Sequence, residues 1–140
     1  MQTRMLVATA ARDIETASVL EQRMVDWARR NAAPYDLAVH LQGLAAQQAT
    51  IGQRELAVAN AREALEVARA HDNVLALPGA LTAFALAVLD DDPEAARQQL
   101  VEAESVWERY PDLPSSDIGH MLGAIVCRQP RRRAAQAAHV

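Results

Sequence analysis

Lysine is absent from this chain; all 14 basic residues are arginine. The absence excludes a P-loop lysine, a Schiff-base lysine and a Ser-Lys dyad, each of which needs that primary amine. Aromatic residues make up only 4%, too few for a β-sandwich core, which also wants more Val, Ile and Thr. With 5 Gly and 6 Pro, tight hairpin turns are few. The one cysteine, Cys127, has no partner for an internal disulfide, and no charged-then-apolar leader opens the chain. Both features lead to the expectation of a reducing, cytoplasmic setting. The longest apolar run, "VLALPGALTAFALAVL" over 74–89, is shorter than the roughly 20 residues that span a bilayer, and Pro-Gly interrupts it. It reads as a buried helix, and no membrane partner is expected. The net charge of −4 argues against a general nucleic-acid surface.

What the chain does have is alanine, at 30 of 140 positions, within an apolar content of 51%. The length suits one domain over 1–140 with a core of its own. Helical periodicity runs throughout, and no segment alternates as a half-buried strand would. The pattern predicts helices over 1–11, 13–30 with Asp13 as cap, 34–50, 53–70, 78–89, 93–110 and 116–128, and an eighth after Pro130. Pro34 and Pro93 suit first turns, Asp92 an N-cap, and Gly52 a C-terminal stop. The fold class is therefore all-α.

Helix pairs joined by short turns call for a search for internal repeats. Ala17, Ala57, Ala96 and Ala135 align in one column, at nearly equal steps along the chain. Met24, Ala64 and Ala103 form a second column; in the preceding helices Met1, Leu41, Ala80 and Gly119 align, as do Met5, Ala45, Phe84 and Gly123. Arg12, Gly52, Asp91 and Pro130 all fall in the turn between paired helices. The approximate repeats are 1–33, 34–73, 74–112 and 113–140, the first and last incomplete. Small residues in these columns have a packing role, because a methyl lets paired helices cross at the low end of about 8–10 Å.

The second copy, "LQGLAAQQATIGQRELAVANAREAL", resembles a tetratricopeptide repeat. Leu41, Leu44 and Ala45 match first-helix packing positions, Gly52 the turn glycine, and Ala57 and Ala64 the signature small residues of the second helix. The period exceeds the roughly 34 residues of the plain repeat and is similar to the long repeats of large bacterial transcription regulators. The resemblance implies a right-handed solenoid of about three and a half helix pairs, seven or eight helices in all. It also implies that first helices line a concave face. In that register the groove-facing positions are Val39, Gln42, Ala46 and Ala49, then Leu81, Ala85 and Val88, then His120, Ala124 and Cys127. If the Asp turn holds one extra residue, Ala80, Phe84 and Ala87 replace the middle set.

Side chains with chemical potential have structural explanations. His71-Asp72 lies in an inter-helix turn, where imidazole capping and an Asp-Asn turn account for it. No two of the 4 histidines stand at i, i+3 or i+4, so no local metal pair exists. His120 and Cys127 are a lone couple. Asp90, Asp91 and Asp92 lack the glycine and distal Glu of a calcium loop. Gly119 and Gly123 suit close packing, and Trp27 and Trp107 suit core or inter-repeat contacts. "RQPRRR" over 128–133 has no aromatic or reading helix beside it, so nucleic acid is not the expected partner. On the outer face Arg62, Glu66 and Arg69 are spaced for helix-internal ion pairs. No catalytic, cofactor or metal site is expected, and the chain reads as a non-enzyme.

The expectation is a protein–protein interaction module, a sensor or scaffold segment of a bacterial regulatory protein. Its partner would be a protein or peptide, with an amphipathic helix fitting the apolar groove. Exposed terminal repeats would allow self-association. The alternative is a small-molecule-binding helical domain with an apolar pocket against the helix at 78–89.

Overall fold

The computed structural model describes residues 10–112. They form five helices: α1 (Ala10–Arg30), α2 (Pro34–Thr50), α3 (Arg54–Ala70), α4 (Leu77–Val88) and α5 (Pro93–Arg109). All regular structure among the described residues is α-helical. One boundary differs from expectation. α1 runs unbroken through Asp13, which lies in its first turn and not at a cap, where its charge still suits the positive helix end. The rest of the segment expected as a helix over 1–11, and those over 116–128 and after Pro130, lie outside the described residues.

The first three helices stop in the same way. Ala32, Gly52 and Asp72 take left-handed φ values of 47°, 84° and 50°. The next residue's N–H returns to the carbonyl five positions back: Ala33 to Ala28 at 3.0 Å, Gln53 to Gln48 at 2.8 Å, Asn73 to Ala68 at 2.8 Å. These are Schellman closures, evenly spaced along the chain. Asn73 then starts the next segment: its Oδ1 accepts from Ala76 N at 3.2 Å and its carbonyl from Leu77 N at 3.1 Å. Asp92 caps α5 as its spacing predicts, its Oδ1 accepting from Ala95 N at 3.1 Å. The His71 ring does not cap α3; it lies beside Tyr35, ring centres 6.5 Å apart, while Tyr35 Oη donates to the His71 carbonyl at 3.1 Å.

Each helix packs on the next in sequence, and α2 also packs on α4. The central cluster draws Val25 from α1, Leu41 and Leu44 from α2, Ala64 and Leu65 from α3, Ala80 and Leu81 from α4, and Ala103 from α5. Ala57, Ala61, Ala64 and Ala68 on α3 are all buried, as are Ala96 and Ala103 on α5. A larger side chain at these positions has no free volume to enter.

The backbones of α1 and α3 do not pack directly, nor do those of α3 and α5, but long side chains bridge both gaps. Arg29 makes a two-pronged bond to Glu63, both arms at 2.6 Å. Arg69 bonds Glu102 at 2.8 and 2.9 Å. The second bridge reproduces the first one repeat further along the chain. The expected helix-internal pairing of Arg69 with Glu66 is thus not made, because Arg69 reaches across to α5 instead. Glu63 holds the Arg29 guanidinium above its ordinary pKa by direct hydrogen bonding. Of the two tryptophans, Trp107 packs on the central cluster, whereas Trp27 is 42% exposed. The segment expected as the helix before α1 lies outside the described residues, so the core or inter-repeat contact expected of Trp27 is not among those described.

Candidate protein interface

The groove positions expected on the first helices fall into three groups. On α2, Val39 is 47% exposed, and Gln42, Ala46 and Ala49 are half-buried. On α4, Leu81 is 0% and Ala85 3% exposed. Leu81 sits in the central cluster and Ala85 packs on Ala96 and Leu100 of α5. Neither presents a surface to a partner. The shifted set fares no better, since Ala80 and Ala87 are also buried. Phe84 and Val88 remain half-buried, Val88 against the Ala85 cluster and Phe84 against both the central cluster and that of Ala45, Ala61 and Ala83. His120, Ala124 and Cys127 lie outside the described residues.

The physical reason is the composition of α4. All of its residues are apolar but for Thr82 and Gly79, so no polar face marks which side stays open. α2, α3 and α5 surround it and bury Pro78, Ala80, Leu81, Ala83, Ala85 and Ala87.

The fold does bring part of α2 and α4 together. Gln42 lies so close across Gly79 that a Cβ there would overlap its side-chain amide. Ala46 and Phe84 pack on one shared cluster. A second close approach occurs on the other side of α2. A Cβ at Gly43 would stand 2.9 Å from Glu21 Oε1, and the other Glu21 oxygen meets His40 Nδ1 at 2.8 Å. The Glu21 carboxylate is accommodated by the missing Cβ at Gly43 and the facing imidazole of His40. Sequence reasoning missed the pair; the glycine at 43, within a helix, was the available signal.

Other polar contacts serve the fold. Asn60 Nδ2 donates to the Gln48 side chain at 2.7 Å, satisfying a buried amide. Arg54 binds Asp91 at 2.8 Å and Asp90 at 3.2 Å, tying the α2–α3 turn to the α4–α5 turn. A shallow depression there is lined by Gly52, Gln53, Arg54, Glu55, Leu56 and Asp91, with no α4 residue. The Arg97 guanidinium, hydrogen-bonded to Glu94, holds that carboxyl below the ordinary range. Among the described residues, no three His, Cys, Asp or Glu side chains are grouped to hold a metal ion, and no helix is long and apolar enough to cross a membrane. Comparison of the chain with protein-family models, with curated proteins and with solved structures finds no match.

Proposed function

We propose that the chain is a protein–protein interaction module built as a right-handed array of tetratricopeptide-like helix pairs, belonging to a bacterial regulatory protein. Two structural regularities support the array. α2 touches α4, the first helix of the next pair, while α1, α3 and α5 are joined only by side chains. The left-handed stop at Ala32 recurs at Asp72, and the Arg29–Glu63 bridge recurs as Arg69–Glu102, in step with the repeat.

The observation that carries the function is an uncharged strip of α2, exposed at Val39 and half-buried at Gln42 and Ala46. Val39, Gln42 and Ala46 line it, and half-buried Phe84 is packed beside Ala46. No Lys, Arg or Asn cluster lies among these positions to clamp a terminal carboxylate. A strip of small apolar residues with one amide suits an amphipathic helix anchored at i, i+3 or i+4 and i+7. The test is selection from a displayed library of amphipathic helical peptides. Enriched peptides should lose binding to Val39→Glu, which alters an exposed position and leaves the fold intact, and keep it for Glu66→Arg. A library with no enriched member, or peptides indifferent to Val39→Glu and sensitive to Glu66→Arg, would overturn the assignment.

A further inference from the structure

We propose that the corner where α2 begins and α3 ends is a seat for an arginine side chain carried at one end of the partner helix. The inference rests on the reading of the α2 strip as the partner surface, and it adds the charge that the partner must bring.

Tyr35, Val39, Gln42 and Ala46 stand at i, i+4, i+7 and i+11 of α2, so Tyr35 extends the strip to the start of the helix. There it meets the turn that closes α3. Tyr35 Oη donates to the His71 carbonyl at 3.1 Å, the two rings lie 6.5 Å apart, and Asn73 Nδ2 donates to the Tyr35 carbonyl at 3.5 Å. The ring is thus held at its tip and at its backbone, yet it stays 57% exposed. Leu75, two residues beyond Asn73, is 69% exposed. An aromatic face fixed in place at the surface is a platform for stacking, and it loses little side-chain freedom when a ligand settles on it.

The charge of this corner has one sign. Asp36 follows Tyr35 in the first turn of α2, and Asp72 follows His71. Both are exposed, and neither is held in an ion pair among the described residues. Every arginine among the described residues lies on α1, α3 or α5, and none on α2 or α4. Arg29 and Arg69, near the ends of α1 and α3, are committed to Glu63 and Glu102. Arg30 is turned away from Val25, the α1 residue that joins α2 in the central cluster. The backbone does not require a carboxylate at 72, since Ala32 and Gly52 fill the equivalent left-handed stops without charge. Asp36 offsets the positive end of α2, and the carbonyl end of α3 adds partial negative charge. Two acids beside a fixed phenol ring favour a guanidinium over an ammonium. Its plane stacks on the ring while its forked N–H groups reach the carboxylates, and its apolar stem can lie on Leu75.

The displayed helix library that tests the α2 strip reads this out when its end positions are also randomised. Arginine should be enriched at one end of the selected helices and not at the other. Changing that arginine to lysine should weaken binding to the full chain about threefold, and to alanine about tenfold. On the protein, Asp36→Asn combined with Asp72→Asn, or Tyr35→Leu, should cost about as much as the alanine peptide. Either change should cost little more against that peptide, because the interaction is already gone. Asparagine keeps the left-handed turn at 72. Circular dichroism checks the fold of each variant, and if Tyr35→Leu unfolds the chain the paired asparagine variant decides. Selected helices that are lost to Val39→Glu, but show no arginine preference and ignore both aspartates, would overturn this inference and leave the α2 strip reading standing. A library with no enriched member would overturn both. A peptide of residues 126–139 that outcompetes every selected helix would give the corner to this chain's own arginine run, and so overturn the assignment to a partner.

Discussion

The three Schellman stops place different residues in the same left-handed conformation, so exchanging them isolates one backbone term. Ala32 stands at φ 47° and Gly52 at 84°. For a residue with a Cβ, that conformation costs roughly 1–2 kcal/mol. Glycine avoids the cost but loses about 0.4–1 kcal/mol more than alanine through the freedom of the unfolded chain. The difference predicts that Ala32→Gly stabilises by about 0.5–1 kcal/mol and Gly52→Ala destabilises by about the same. Side-chain contacts do not blur the result, since Ala32 is exposed and nothing lies within 4 Å of a Cβ at Gly52. Asp72, at φ 50°, should gain less from glycine, because aspartate tolerates this region better than alanine. Urea unfolding followed by circular dichroism reads these differences directly, and thermal midpoints should move by about 2–4 °C. If Gly52→Ala proves neutral while Ala32→Gly destabilises, the left-handed closures are not what ends these helices, and the reasoning is refuted.

Ala64→Leu should destabilise by about 1–3 kcal/mol, because Ala64 is fully enclosed, whereas Glu66→Ala on the exposed side of α3 should stay within about 0.5 kcal/mol; equal effects in urea unfolding would show the register to be wrong. Asp92→Ala removes the bond to Ala95 N and should cost about 0.5–2 kcal/mol, recovered in part by Asp92→Asn. A double-mutant cycle on Arg29 and Glu63 should give a coupling of about 0.2–1 kcal/mol that shrinks in high salt, since Arg29 is exposed and Glu63 only half-buried. Arg97 lowers the Glu94 carboxyl in the folded chain, so its contribution exists above the ordinary carboxylate range and is lost as pH falls through the folded value. The stability gap between the native chain and Glu94→Gln should therefore close on acidification; a gap that widened would reverse the sign.

What the sequence alone determined here is local. Gly52 as a stop, Asp92 as a cap, Pro34 and Pro93 at helix starts and the alanine columns at 57, 64, 96 and 103 all appear where the pattern puts them. Each depends on bonds or spacing between near neighbours in the chain, or on side-chain volume at one position. The partners chosen across space depended on the tertiary structure. Arg69 had two acceptors in reach of its long side chain, and the approach of α5 decided for Glu102. Glu21 finds its partner only when the packing of α2 on α1 sets Gly43 and His40 beside it. Leu81 and Ala85 pass for groove residues until α2, α3 and α5 surround α4, because a helix apolar all round carries no mark of which face will meet water.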